Sequence, residues 1–323
     1  MPSVLDRATA CLKGVAVGDA IGKQTETLSH DDVARWYPNG VRGFEGTPGA
    51  VIPRYVGNKK HEWRIGETTD DTERTIAVAR AIISDGRVSH ASVGREMLAC
   101  TKSVHPGVRS LWEFHQAGDP ARIDLTHDGC GAAVRSAPVG IVCTSSALAD
   151  LVAAAREAAI STHGGSRAVA AAAATAAAVS AAIDEATADD VLDVAERAAA
   201  LAERQWPGAS EPVFAPAIRT VHDRLSALPS LSAEHIARSC FPSETLTIVP
   251  LAVALATLLR SAEDAILLAA NIGGDSDSVA SIAGGILGAM YPATVNEDWY
   301  AVVVRVNQHD LTTLGPKLVG LRD

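Results

Sequence analysis

The sequence is poor in aromatic residues, in positive charge and in long apolar runs. Aromatic residues make up 4% of the 323 residues, so a hydrophobic core must consist mainly of Ala, Val, Leu and Ile. The 28 Lys and Arg residues are outnumbered by 38 Asp and Glu residues, which gives a net charge of −10. Nucleic-acid backbones attract basic surfaces, so nucleic acid is not an expected partner.

Membrane and disulfide signals are also weak. The best membrane candidate, residues 246–259, contains Pro250 and falls short of the roughly 20 apolar residues that a spanning helix needs. Residues 1–7 contain no charged leader followed by an apolar run, which predicts a cytoplasmic protein without a membrane span. The five cysteines have no C-x-x-C spacing, which argues against a disulfide framework and a zinc site.

The remaining composition predicts an all-α fold. With 47% hydrophobic and 20% charged residues, the chain can bury a large core. Ala-rich stretches at 168–182 and 192–201 have high helix propensity, and β-branched alternation is scarce. The length would allow two domains, but no linker or repeat divides the chain, so we predict one domain over residues 1–323. Helices are predicted at 4–22, 70–84, 90–101, 107–117, 147–159, 165–183, 188–203, 212–225, 232–238, 245–258, 261–270, 277–290 and 295–306, and loops at 37–66, 117–131 and 205–216.

The segment GVAVGDAIGKQTE at 14–26 repeats glycine every four residues. Each glycine costs about 1 kcal/mol against Ala in a helix unless a close approach requires it. This pattern predicts a tight helix crossing, with Asp19 beside the glycine face and Glu26 near the end of the helix. The alternative is a small-residue crossing with two solvated acids.

Two further segments place carboxylates at helix starts. TTDDTE at 68–73 precedes an apolar-periodic run, and NIGGDSDSVA at 271–280 leads into another helix. The first segment is also good capping chemistry, with Thr69 or Asp70 as the N-cap and Glu73 completing a capping box. If the two segments meet in space, they offer hard oxygen ligands that suit one or two Mg²⁺ or Mn²⁺ ions better than zinc. The candidate ligands are Thr69, Asp70, Asp71, Asp275, Asp277 and Ser278.

These three motifs together resemble those of the ADP-ribosylglycohydrolases. The resemblance implies a compact, single-domain, all-α fold with a dinuclear metal centre, Mg²⁺ or Mn²⁺, in a cleft. By position, it assigns the six oxygen ligands named above to the metals and gives Glu26 the role of activating the attacking water. Asp19 resembles a structural carboxylate of the site and is grouped with the substrate-binding residues.

The implied reaction is hydrolysis of an N- or O-glycosidic bond at the anomeric carbon of the ribose. The substrate would be an ADP-ribosylated protein or a ribosyl small molecule. Two loops resemble those that hold the rest of ADP-ribose: one contains Gly129, Cys130 and Gly131, and the other contains His163. The turn at His163 opens a long helix, whose free N–H groups would form an anion site.

Departures from the family pattern leave alternatives open. Cys130 stands where Asn is usual and Val134 where Met is usual, so a smaller substrate, a nucleoside or nucleotide, is the second hypothesis. The third is a catalytically silent binding or structural protein. Asp119, Asp124 and Asp128 are weak catalytic candidates and are better interpreted as loop acids. Without an interaction motif, a monomer is expected. The linkage hydrolysed and the preferred metal stay undetermined at this point.

Overall fold

The computed structural model describes residues 1–46, 62–102, 118–208 and 213–322, together with the backbone of 55–56, 59–60, 104–105 and 108–109. Within these ranges the chain forms sixteen α-helices. They are α1 (Val4–Gly22), α2 (His30–Trp36), α3 (Asp70–Asp85), α4 (His90–Met97), α5 (Gly131–Val134), α6 (Ala137–Val142), α7 (Leu148–Ala159), α8 (Ser166–Ile183), α9 (Ala188–Gln205), α10 (Phe214–Ser226), α11 (Ala233–Ser239), α12 (Thr245–Leu258), α13 (Ala262–Ile272), α14 (Ser276–Met290), α15 (Glu297–Asn307) and α16 (Gly315–Val319).

Four two-residue strands form two antiparallel pairs. Strand β1 (Tyr55–Val56) pairs with β2 (Lys59–Lys60), and β3 (Val104–His105) pairs with β4 (Val108–Arg109). The helix predicted over 107–117 is wrong at 108–109, because these residues pair with β3. The remainder of that prediction, like much of the loop predicted at 37–66, lies outside the described residues.

The helices begin where the sequence offers capping side chains. The hydroxyl of Ser3 accepts from the backbone N–H of Asp6, whose carboxylate returns to Ser3 and closes a capping box on α1. Thr69 caps α3 in the predicted way, since its Oγ1 accepts from the N–H of Asp71 at 3.1 Å. Glu73 is not part of a capping box there, because its carboxylate accepts hydrogen bonds from Thr101 and Lys102 instead.

Helix α8 lies in the centre of the core. Its residues from Ala168 to Ile183 are all buried, and it packs against α5, α6, α7 and α9. Its length and apolar composition alone would suit a membrane span, but 89% of it is buried inside the protein. The small alanine side chains let neighbouring helices approach closely, so an aromatic-poor sequence still fills its interior.

Helices α1 and α14 cross in direct backbone contact. The crossing is antiparallel: Gly14 lies against Gly284, Gly18 against Ala280, and Gly22 against Asp277. A Cβ atom at position 18 would lie 2.2 Å from the carbonyl oxygen of Ala280, a distance too short for any side chain, so only glycine fits there. The predicted close approach is therefore confirmed. It also sets the end of α1 beside the start of α14.

Candidate active site

The end of α1 is bonded to the start of α14. The Oγ of Ser276 donates to the carbonyl oxygen of Gly22 at 2.9 Å and lies 3.0 Å from Oγ1 of Thr25. Thr25 also donates to the carbonyl oxygen of Ala270 at 2.6 Å. All three polar side-chain contacts are buried, so the two segments are held rigidly.

A two-glycine turn leads into α14. Gly273 and Gly274 have φ angles of +86° and +71°, in the left-handed region that favours glycine. A Cβ atom at either position would also meet a backbone carbonyl oxygen, that of Leu28 at 2.5 Å or that of Pro242 at 2.3 Å. The turn is further fixed by the N–H of Asp275, which donates to the carbonyl oxygen of Pro242 at 2.8 Å.

Asp19 ties the same end of α1 to the start of α3. Its fully buried carboxylate accepts from the N–H of Thr69 at 2.9 Å, from the N–H of Thr72 at 3.0 Å and from the hydroxyl of Thr72. Burial raises the pKa of Asp19, and the hydrogen bonds from Thr72 and Thr69 act in the opposite direction. The role of this carboxylate is to position the start of α3. Whether Asp19 also contacts substrate stays a prediction.

The two predicted ligand segments do come together. Ser278, in the first turn of α14, donates from Oγ to Oδ2 of Asp71 in the first turn of α3 at 3.1 Å. Asp71 and Asp277 are buried, whereas Asp70 and Asp275 are partly exposed. The helix starts that carry the six candidate ligands therefore meet each other beside the end of α1.

The gathered carboxylates repel one another. Burial raises the pKa of Asp71 well above its usual range, and the charges of Asp70, Asp19 and Asp275 raise it further. Burial followed by the charge of Glu26 likewise raises the pKa values of Asp275 and Asp277. A buried set of hard oxygen donors with excess negative charge fits a divalent cation by its chemistry. Among the described residues, no three His, Cys, Asp or Glu side chains are already arranged as a metal site.

Glu26 borders the cluster on the side of Asp275 and Asp277. It is half-buried and forms an ion pair with Lys23, whose ammonium also lies 3.7 Å from Oδ2 of Asp277. The ammonium lies 4.8 Å from the centre of the Trp63 indole ring. The predicted catalytic acid is thus beside the predicted ligands, with a buried lysine between them.

Cys130 also contacts the cluster, through Asp275. Its Sγ is 3.5 Å from Oδ2 of Asp275 and donates to it. Burial and the charges of Asp275 and Asp71 raise the pKa of this thiol well above its usual range, so it stays protonated. Val134, the second departure from the family pattern, is buried in the core. Of the two departures, only Cys130 changes the site surface.

The turn at Gly129–Gly131 packs against an arginine and two histidines. The fully buried Arg135 donates to the carbonyl oxygen of Gly131 at 2.9 Å and to Oγ1 of Thr162 at 2.6 Å. Thr162 lies 2.6 Å from Nδ1 of His163, whose ring meets that of His127 edge to face at 4.4 Å. Burial and then the charge of Arg135 lower the pKa of His163 well below its usual range, so its imidazole is neutral.

The packing of His163 also accounts for the glycine at position 131. A Cβ atom at position 131 would lie 2.9 Å from Nε2 of His163, so Gly131 is needed for this packing. Its contact with Gly129 and Gly131 joins the two loops that were predicted to bind substrate. Whether Gly129, Cys130, Gly131 and His163 contact substrate stays a prediction.

The predicted anion site at the start of α8 is wrong. Asp128 fills this position: its Oδ1 accepts from the N–H groups of Arg167 at 2.9 Å and Ala168 at 3.3 Å. The helix end is already capped by a carboxylate, which would repel a phosphate. Asp119 and Asp124 likewise accept from backbone N–H groups of their own turns. All three acids hold loops together, as expected.

Sequence reasoning missed Lys23, Trp63 and Arg135. Lys23 lies between Gly22 and Glu26, in a motif whose prediction rests on its glycines and acidic residues. Trp63 lies in a loop with no periodicity to place it. Arg135 lies four residues after Gly131, and its position directly after the apolar residues 132–134 is the signal of a buried cation.

Comparison with known proteins decides the family. The sequence profile of the family described as ADP-ribosylglycohydrolase matches residues 1–323, the whole chain. The chain belongs to the ADP-ribosylglycohydrolase family. It is therefore an enzyme, a hydrolase of ADP-ribosyl linkages, and the hypothesis of a catalytically silent protein is dropped.

Relatives of this glycohydrolase carry related names. It is 25% identical over 322 residues to ADP-ribosylarginine hydrolase Tri1 of Pseudomonas putida, covering 94% of this chain and 76% of that protein. It is 27% identical over 148 residues to ADP-ribosyl-[dinitrogen reductase] glycohydrolase of Rhodospirillum rubrum, covering 43% and 46% of the two chains. A solved structure described as an ADP-ribosylglycohydrolase-related protein complex superposes with a TM-score of 0.74 at 23% identity over 100% of both chains. The all-α fold is thereby confirmed.

Proposed function

We propose that this enzyme is a divalent-cation-dependent hydrolase that cleaves the bond between ADP-ribose and an arginine side chain. One observation carries the metal dependence: the Ser278–Asp71 hydrogen bond joins carboxylate-rich helix starts that are 207 positions apart in the sequence. Such buried, mutually repelling oxygen donors suit Mg²⁺ or Mn²⁺, and the charge of the set would accept two ions. Arginine as the acceptor is supported by the printed name of the Pseudomonas relative.

The residues that would hold the ions are Thr69, Asp70, Asp71, Asp275, Asp277 and Ser278. Bound there, a divalent cation supplies an electrophilic centre that orients the ribose hydroxyls and polarises water. The half-buried carboxylate of Glu26 borders these ligands, and in this proposal it would accept a proton from the attacking water. Asp19 keeps the start of α3 in position, because it accepts from the backbone of both Thr69 and Thr72.

A smaller ribosyl substrate is the second candidate. It is favoured by the Cys130 thiol, which donates to Asp275 where family members usually carry an amide. A thiol is a weaker hydrogen-bond donor than an amide, so it would hold a large substrate less firmly. The Asn variant of Cys130 separates the candidates: an arginine-linked ADP-ribose substrate should be cleaved faster by C130N, by a few-fold, and a nucleoside should not.

The decisive experiment measures ADP-ribose release from a peptide carrying ADP-ribosylarginine. We expect release with Mg²⁺ or Mn²⁺, its loss after chelation, and its recovery when metal is restored. A serine-linked peptide and adenosine, assayed in parallel, test the linkage and the smaller substrate. Undiminished hydrolysis after exhaustive chelation would contradict the metal dependence. Cleavage of adenosine but of neither peptide would favour the smaller ribosyl substrate over ADP-ribosylarginine.

A further inference from the structure

The carboxylate cluster contains a built-in cation. Lys23 follows the last residue of α1, and its backbone N–H donates to the carbonyl oxygen of Asp19 at 2.9 Å. Its side chain runs toward the cluster, where the ammonium pairs with Glu26 and lies 3.7 Å from Asp277. Lys23 as a whole is only 8% exposed.

The ammonium is held on several sides. Two carboxylates contact it, and the indole ring of Trp63 covers it with its centre at 4.8 Å, within the range of a cation–π interaction. Gly22 presses against the backbone of Asp277, so the chain at residue 23 has little freedom to move away from α14. A metal entering here meets a fixed positive charge.

The positive charge is unevenly distributed over the cluster. Lys23 faces Glu26 and Asp277, and its charge lowers the pKa of Asp277 against the raising effect of burial. At the other end Arg74 lies 3.3 Å from Asp70, a partly exposed carboxylate. Among the described residues, Lys23 contacts two carboxylates of the cluster and Arg74 contacts one, while Asp71 is bonded to Ser278. The ion nearest Asp71 would therefore be repelled less than the ion nearest Asp277.

We propose that Lys23 is a metal-tuning residue: its ammonium takes part of the place of a divalent cation beside Glu26 and Asp277, so that two ions bind with unequal affinity. The inference rests on the proposed metal dependence and adds a residue of this chain to it. The positive charge of Lys23 reduces the net negative charge of the cluster formed by Glu26, Asp70, Asp71, Asp275 and Asp277. Because the Coulomb energy falls with distance, the effect is strongest at Asp277, whose Oδ2 lies 3.7 Å from the ammonium. It also keeps Glu26 beside the ligands when the second ion is absent.

The test is a titration of Mn²⁺ into the substrate-free enzyme, following free Mn²⁺ by its electron paramagnetic resonance signal. For the wild type we expect one ion to bind tightly and a second at least tenfold more weakly. Lys23→Met keeps the aliphatic stem and removes the charge, so the second ion should bind at least tenfold more tightly. Lys23→Arg should keep the wild-type difference.

Lys13→Met is the matched control. Lys13 is also on α1, pairs with Glu297 at 2.7 Å and lies 5.3 Å from the centre of the Tyr300 ring, remote from the cluster. Its loss should leave both affinities unchanged. If Lys23→Met does not fold, as judged by circular dichroism, Lys23→Gln replaces it as the uncharged variant.

The outcomes separate this inference from the proposed function. Unchanged or weaker binding of the second ion in the uncharged variant would overturn the role of Lys23, while metal-dependent release of ADP-ribose would still stand. A wild-type enzyme that binds no Mn²⁺ would overturn both the metal dependence and the role of Lys23. If the second ion also bound more tightly to Lys13→Met, the change in affinity would come from the overall charge of the protein and not from the position of Lys23. That result would also overturn the inference.

Discussion

The two sides of the site bury polar groups of opposite kind. On the side of α3 and α14, Asp71 and Asp277 bring like charges together with few donors to satisfy them. Around the Gly129–Gly131 turn, Arg135 and His163 are buried with hydrogen bonds to carbonyl and hydroxyl oxygens. The first side carries an excess of negative charge that a bound cation would offset, whereas Arg135 and His163 on the second side are hydrogen-bonded to oxygen atoms of the protein. We infer that ligand-free stability comes from the second side and metal binding from the first.

Removing the carboxylates should give the largest effect. In Asp275→Asn combined with Asp277→Asn, we expect kcat/KM to fall at least about 100-fold, because ligands matter at least as much as the outer groups that orient them. The rise in melting temperature on adding Mn²⁺ should disappear. Without metal, the melting temperature should equal or exceed that of the wild type, because the variant removes repelling charges. Scanning calorimetry with Mn²⁺ and with a chelator measures the two melting temperatures, and the ADP-ribose release assay measures kcat/KM.

A matched acidic pair controls for charge. Glu297 and Asp298 stand in the first turn of α15, also at a helix start. Their Gln and Asn substitutions should leave activity and the Mn²⁺ response at wild-type levels. If the variant of Asp275 and Asp277 kept both properties, the metal assignment would be refuted.

Removing the arginine should lower stability without changing metal binding. In Arg135→Met the carbonyl oxygens of Gly131, Ala158 and Ala159 lose a buried donor. The free energy of unfolding should fall by about 1 to 3 kcal/mol, the usual cost of unsatisfied buried groups. Urea unfolding measures it, and a Mn²⁺ titration should give wild-type affinities.

Arg260 provides the comparison for this variant. It also donates to backbone carbonyl oxygens, at 3.0 and 3.1 Å, but on the exposed surface. Arg260→Met should change the unfolding free energy by less than about 0.5 kcal/mol. A large loss of Mn²⁺ affinity in Arg135→Met would mean that the two sides are not independent.

The smallest expected effect concerns pH. The pKa of His163 is lowered on folding from 6.5, so below pH 6.5 the unfolded chain binds a proton that the native protein excludes. Stability from this residue is complete above pH 6.5 and is lost as the pH falls, with a slope of at most about 1.4 kcal/mol per pH unit. His163→Gln should flatten that slope in metal-free urea unfolding between pH 7.5 and 5. An unchanged slope would assign it to other groups.

Local signals made most of the long helices predictable. Helix α1 runs from residue 4 to residue 22 as predicted, because Ser3 caps it and the periodicity is sustained. The short helices α2, α5, α6 and α16 were not predicted, although the equally short α11 was, because so few residues show little periodicity to distinguish a helix from a loop. Their boundaries are set by tertiary packing instead.

The sequence predicts which acidic residues lie on the side of α3 and α14. It does not predict which positive charges and hydrogen-bond donors lie beside them. The pattern of hard donors at helix starts named the six oxygen ligands, and the family resemblance added Glu26. Lys23 and Cys130 were not assigned to the cluster by pattern, because their roles depend on which side chains they meet across the fold. The same holds for Asp128, whose bond to the start of α8 removes an anion site that the local sequence had favoured.

The glycine crossing of α1 and α14 has a consequence for biosynthesis. Ser276 and Gly22, which bond at this crossing, are 254 positions apart, so α1 leaves the ribosome long before its partner is made. Until then its glycine face has no native surface to pack against. Contacts of such sequence separation form late and slow folding. The candidate active site therefore cannot assemble before α14 has left the ribosome, and a nascent chain that stops short of α14 would lack it.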